Sequence, residues 1–173
     1  MKEGDSMAVK DYAKSIIYGG LDGIITTFAV VAGSVGGNLG LTTIIILGFS
    51  NLLADGFSMA AGDYLSSTTS KEVDNKDAFK NAIATFTSFN AFGLIPLLAY
   101  LLVNHLTFLQ DHTFAVACVL VSFALALLGW VKGTITEESR KKEMLRTLLV
   151  GLLAALFAYY VGQFLGALIG TIN

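Results

Sequence analysis

The stretch 148–172 reads LLVGLLAALFAYYVGQFLGALIGTI, and no charged residue occurs from Thr147 to Asn173. About 20 apolar residues in a helix span the hydrocarbon core of a bilayer, so this run is long enough to cross one. A core helix of a soluble domain would be shorter and would carry a polar stripe along its length. Four more apolar stretches of similar length lie upstream, at 16–36, 42–66, 82–103 and 113–131. The reading is an all-α integral membrane protein with five transmembrane helices. It forms a single membrane domain over residues 1–173, with no separate soluble domain.

Composition agrees. Of 173 residues, 54% are hydrophobic and only 14% charged, where soluble domains sit near a quarter charged. One cysteine and one proline exclude a disulfide framework and a Cys-rich zinc site. A net charge of −2 excludes a generally basic nucleic-acid binder. The first fifteen residues are polar and no cleavage site is apparent, so the first span is read as a retained helix rather than a secretory signal.

The eleven Lys and Arg residues fall on one side of the chain's crossings. Lys2, Lys10 and Lys14 precede the first span. Lys71, Lys76 and Lys80 lie between the second and third. Lys132, Arg140, Lys141, Lys142 and Arg146 lie between the fourth and fifth. The connections 37–41 and 104–112 and the C-terminus carry none. By the positive-inside rule the N-terminus is cytoplasmic and the C-terminus lies outside or in the lumen. A miscounted span would break the partition. Residues 38–41 are expected to form a tight outer hairpin, and 67–81 a cytoplasmic linker. Segment 134–146 has helical spacing, with Thr136 as N-cap and Glu137 and Glu138 in the first turn.

Three acids lie inside spans: Asp22, Asp55 and Asp63. A carboxylate in hydrocarbon is costly and marks a functional site by default. No Lys or Arg lies inside a span to pair with them. That leaves protonation, hydration, hydrogen bonding or a bound cation. On the first helix Ser15, Tyr18, Gly19, Asp22, Thr26, Ala29 and Gly33 share a face at three- and four-residue steps. On the second, Gly48, Asn51, Asp55, Ser58, Met59 and Gly62 do so, with Asp63 at the edge. The opposite faces hold Ile24, Phe28, Val31, Phe49, Leu53 and Phe57. Asp22 lies about six residues, or roughly 9 Å, inside the cytoplasmic end of its span. Met59 lies at the same level on the antiparallel second span, and Asp55 one turn deeper. Carboxylates attract hard cations, and a thioether adds a softness that Fe²⁺ and other transition metals tolerate. The candidate metal ligands are Asp22, Met59, Asp55, Asp63 and Asn51, with Asp22 and Asp55 also carrying protons. Thr26, Ser58, Gly33 and Gly62 are expected to line the pathway. Asn51 and Asn90 serve equally well as interhelical hydrogen-bond partners.

Two motifs carry a resemblance. Tyr18-Gly-Gly-Leu-Asp-Gly-Ile-Ile-Thr-Thr-Phe-Ala-Val-Val-Ala-Gly33 and Ala54-Asp-Gly-Phe-Ser-Met-Ala-Ala-Gly-Asp-Tyr-Leu-Ser66 resemble the first and second helices of the vacuolar iron transporter family. The resemblance implies a homodimer that exports cytosolic Fe²⁺, and often Mn²⁺, in exchange for protons. Its path lies at the dimer interface, lined by the first two helices, with Asp22 and Met59 as intramembrane ligands. Asp63 stands where many relatives have Glu. Members with a cytoplasmic metal-binding domain insert a long Glu-rich segment between the second and third spans. Here that connection holds only Glu72, Asp74 and Asp77, similar to the short, nodulin-like branch. The metal is a transported substrate, and no permanently bound cofactor is implied. The membrane is the plasma membrane in a prokaryote, and a vacuolar or other endomembrane in a eukaryote.

Other residues carry weaker signals. His105, Asp111 and His112 flank the third connection and read as a wet loop. Cys118 reads as a small core residue, and Tyr159 and Tyr160 lie too deep for an aromatic belt. Pro96 is expected to kink the third span after Gly93. Gly162, Gly166 and Gly170 form a small-residue ridge for helix packing, as do Gly19/Gly23 and Gly33/Gly37, where close backbones would narrow a pore or a dimer seam. No paired-His motif, Ser/His set or phosphate-cradling loop points to an enzyme. Two alternatives stand beside this reading: a non-transporting membrane scaffold or packing unit, whose acids mark only hydrated helix ends, and a passive cation channel, which shares the residues but not the coupling.

Overall fold

The computed structural model describes residues 3–69, 74–103 and 111–170, and His105, Lys71 and Glu72 lie outside them. Among the described residues six helices follow in order: α1 Glu3–Gly36, α2 Leu41–Thr69, α3 Asn75–Gly93, α4 Ile95–Leu102, α5 Thr113–Ile135 and α6 Arg140–Gly170. Among the described residues there is no strand. Four of these helices are long and apolar enough to cross a membrane. The bent α3–α4 pair makes a fifth crossing when it is taken as one span. The chain is an integral membrane protein.

The bend follows from sequence. Helix α3 ends at Gly93, and Pro96 stands in the first turn of α4. Proline lacks an N–H and fits only an opening turn. The two segments meet at 40°. Between α1 and α2, Asn38 adopts a positive φ of 55°, which Asn tolerates better than most residues, and the chain reverses within the expected hairpin.

Helix α1 packs against every other helix, most extensively α3 and α6. Its Ile24, Phe28 and Val31 are buried in the core with Leu97 of α4 and Val121 and Leu125 of α5. Helix α2 buries one stripe, Ile44, Gly48, Leu52, Gly56 and Ala60, at the four-residue step of a helix face. Its Leu53 and Phe57 remain exposed. The apolar sides of the first two helices therefore serve opposite purposes: that of α1 is interior, while much of that of α2 is surface.

The glycines of α1 approach neighbours within the chain. A Cβ on Gly23 would stand 2.3 Å from the Phe89 carbonyl oxygen of α3. One on Gly162 of α6 would stand 1.9 Å from that of Gly33. These close backbone approaches are the packing device of small residues in membrane helices. Gly162 and Gly166 fit the expected ridge, whereas Gly170 has open space around it.

One boundary differs from the sequence reading. Thr136 caps the C-terminus of α5 instead of opening the next helix. Its N–H and its hydroxyl both donate to the Lys132 carbonyl oxygen, each at 2.9 Å. These bonds consume the C-terminal acceptor and close the helix. Glu137 takes a positive φ of 58° in the turn, and α6 begins at Arg140. Buried Glu143 then pairs with Lys132 of α5 at 3.0 Å and Arg146 at 2.5 Å. The Lys132 ammonium also lies 5.4 Å from the centre of the Tyr18 ring on α1. Carboxylate and ring together tie three helices at one end of the bundle.

Candidate functional site

Asp22 is half-buried on α1 and Asp55 is half-buried on α2. The two helices pack against each other, and neither acid is among the residues lining the cavity described next. One turn along α1, the Thr26 hydroxyl donates to the Asp22 backbone carbonyl at 2.8 Å, so Thr26 is half-buried beside the acid without bonding its carboxylate. Met59, one turn from Asp55, is half-buried and lines a cavity of about 520 Å³ between α1, α2 and α3. Lys14, Ser15 and Tyr18 of α1 border it, with Gly62 and Asp63 of α2 and Asn81 and Thr85 of α3.

Asp63 is the best-anchored acid of the group. Its Oδ2 accepts from Thr85 Oγ1 at 2.6 Å and from Ser15 Oγ at 3.3 Å. The first bond has the length of a charge-assisted O–H···O⁻ contact. Thr85 was not among the residues singled out from sequence. Its signal was present, however: Asn81 just before the third apolar stretch, and Thr85 and Ser88 within it, fall at steps of four and three, placing polar groups on one helix face.

The remaining candidates separate. Ser58 is exposed on α2 outside the cavity lining, whereas Gly62, exposed too, borders the cavity. Asn51 is half-buried, with its Nδ2 buried and unpartnered. Asn90 Nδ2 donates to the Phe86 carbonyl at 2.8 Å while its Oδ1 is buried without a partner. Gly33 lies against Ala158 and Gly162 of α6, away from the cavity residues. Asp111 and His112 are exposed before α5. Among the described residues, no three of His, Cys, Asp and Glu converge as a metal-holding group. What one chain presents is an open, oxygen-rich cavity with one thioether. It offers hard ligands and water access to a divalent cation and leaves its coordination shell incomplete.

A membrane bundle with a half-buried carboxylate on each of its first two helices and a polar cavity at their ends defines the class. A family model described as the VIT family matches residues 13–78 and 72–163, and the chain belongs to this family. It is 28% identical over 240 residues to a vacuolar iron transporter of Toxoplasma gondii, covering 98% of this chain and 80% of that protein. A vacuolar iron transporter of Plasmodium berghei is 28% identical over 226 residues, covering 90% and 83%. Vacuolar iron transporter homolog 3 of Arabidopsis thaliana is 23% identical over 189 residues, covering 95% and 92%.

Proposed function

We propose that this protein carries Fe²⁺, and also Mn²⁺, out of the cytosol in exchange for protons. The observation that carries the reading is that α1 and α2, which pack against each other, each hold a half-buried acid, Asp22 and Asp55, with Met59 one turn from Asp55 at the cavity wall. No Lys or Arg inside the expected spans offsets these charges. Two neighbouring carboxylates in a bilayer require positive charge, from protons or from a divalent cation. Exchange of one for the other is antiport. A cation entering from the cytosol displaces the protons, and protons from an acidic far side then displace the cation. The names of the relatives support iron as cargo. The thioether of Met59 suits Fe²⁺ better than Mg²⁺ or Ca²⁺.

The working unit in this reading is a homodimer. One chain leaves the ligand set incomplete, and α2 exposes Leu53, Phe57, Ser58 and Gly62 to a second copy or to lipid. The basic connections face the cytosol, with the C-terminus on the other side. The shortness of the connection between the second and third spans supports grouping the chain, in this reading, with members that lack a cytoplasmic metal-binding domain. Purified protein in liposomes under an imposed pH gradient, with Fe²⁺, Mn²⁺, Co²⁺ and Zn²⁺ compared, tests the proposal. Uphill movement of Fe²⁺ and Mn²⁺ that collapses with the gradient is the expected result. Movement only down the metal gradient would mark a passive channel, and no movement would mark a scaffold.

A further inference from the structure

Thr85 belongs to the third crossing, yet it holds an acid of the second. Its hydroxyl and that of Ser15 converge on the same oxygen of Asp63, so α1, α2 and α3 meet at Oδ2. Thr85 is itself held firmly. It is 2% exposed, and its carbonyl oxygen stands 2.8 Å from where a Cβ of Gly19 would be, so the α1 and α3 backbones touch there. One turn on, the Ser88 hydroxyl donates to the Ile16 carbonyl of α1. Helix α3 is thereby fixed to α1, and from that fixed position Thr85 reaches across to α2.

We propose that Thr85 is a positioning residue for Asp63, and that Asp63 is the first carboxylate a divalent cation meets on entering the cavity from the Ser66–Ser67 end. The inference rests on the transport reading above. Both hydrogen bonds fall on Oδ2, leaving Oδ1 to the cation. A carboxylate held in one rotamer loses less freedom on binding than one that swings. Met59 lies one turn further along the same cavity wall, so the oxygen-held cation passes next to the softer ligand. Ser15, with its longer bond, contributes the weaker share.

The test pairs Thr85→Val, which keeps the branched shape and loses the donor, with Thr85→Ser, which keeps the donor. Two readouts are taken: Co²⁺ binding to the protein in detergent, and Mn²⁺ uptake into liposomes at varied concentration. Loss of the bond is expected to raise both Kd and KM about tenfold, the equivalent of one strong hydrogen bond, with kcat within about twofold. Thr85→Ser restores both constants. In an Asp63→Asn background Thr85→Val adds nothing, because the two residues act through one contact. Ser15→Ala shifts Kd in the same direction by about two- to threefold, and keeps the test open if Thr85→Val fails to fold. Unchanged Kd and KM in Thr85→Val, failure of Thr85→Ser to rescue, or additivity with Asp63→Asn overturns the proposal. If Thr85→Val does not fold, a wild-type Kd in Ser15→Ala overturns it. Wild-type protein that neither binds nor carries either cation overturns the transport reading and this inference with it. Wild-type protein that does both, matched by Thr85→Val, overturns the inference alone.

Discussion

Gly23 follows Asp22 directly, and replacing it with Ala would move the acid. The new Cβ would stand 2.3 Å from the Phe89 carbonyl oxygen and 3.0 Å from both the carbonyl carbon and the Cα of Phe89. Ordinary contact begins near 3.4 Å, so α1 and α3 would have to part by about 1.1 Å, the difference between 3.4 and 2.3 Å. The obstacle is backbone, and no change of rotamer absorbs it. The crossing is tight from the other side too, since a Cβ on Gly93 would stand 2.8 Å from the Gly23 carbonyl oxygen. Overpacking of this kind costs about 1–3 kcal/mol, and a backbone obstacle puts it at the upper end. Alanine's helical preference returns about 1 kcal/mol. The net loss is about 2 kcal/mol, or a fall in Tm of about 4–8 °C for a chain of this length. Because Asp22 moves with the backbone, metal uptake should fall by about tenfold or more, as misplacement by an ångström does at reactive sites. Thermal unfolding in detergent and uptake into liposomes measure the two effects. A Gly23→Ala protein at least as stable as wild type, with normal uptake, would falsify the close α1–α3 crossing as the reason for glycine after Asp22.

Asp22→Asn should abolish proton-coupled uptake while the protein stays folded, since the amide keeps the shape but neither carries a negative charge nor takes up and releases a proton; normal uptake across several pH values would remove Asp22 from both roles. Met59→Leu keeps the packing volume and loses the soft ligand, so Fe²⁺ uptake should fall more than Mn²⁺ uptake, and an equal fall would make the thioether mere packing. A Cβ on Gly62 meets open space within the chain, so Gly62→Ala should raise the stability of a monomer by up to about 1 kcal/mol. If it instead lowers the dimer fraction in sedimentation, a second copy packs on that face. A cysteine at Ser139 in a Cys118→Ser background should label only from the cytosolic side and a C-terminal reporter should read outside; the reverse pattern would undo the positive-inside orientation.

Much of the fold was readable from the sequence, because bilayer thickness constrains an apolar run directly. The bend after Gly93 was equally readable, since Pro96 cannot continue a helix laid down before it. The glycine faces were harder. Periodicity shows that Gly19, Gly23 and Gly33 share a side of α1, but not which helix fills it. The structure divides that side between α3 and α6, and Gly33 leaves the cavity as a result. Thr136 misled because threonine caps either end of a helix, and only the bonds to the Lys132 carbonyl decide between them. Thr85 escaped notice for a similar reason. A few hydroxyls on one face of an apolar stretch are commonplace, and the role of this one depends on a carboxylate 22 residues away in the chain.

The placement of α1 has a consequence for how this protein is made. It leaves the ribosome ahead of the other five helices, and in the finished bundle it touches all of them. It is less apolar than α5 or α6 and has the largest buried share of the membrane-length helices. Until its partners arrive it stands in the membrane with Asp22 and a row of bare glycines uncovered. One of its two most extensive contacts is with α6, the last of the six to be synthesised. Assembly therefore closes only when the end of the bundle returns to its beginning, and a chain arrested before α6 would hold its acid-bearing helix half-clad, as a substrate for membrane quality control.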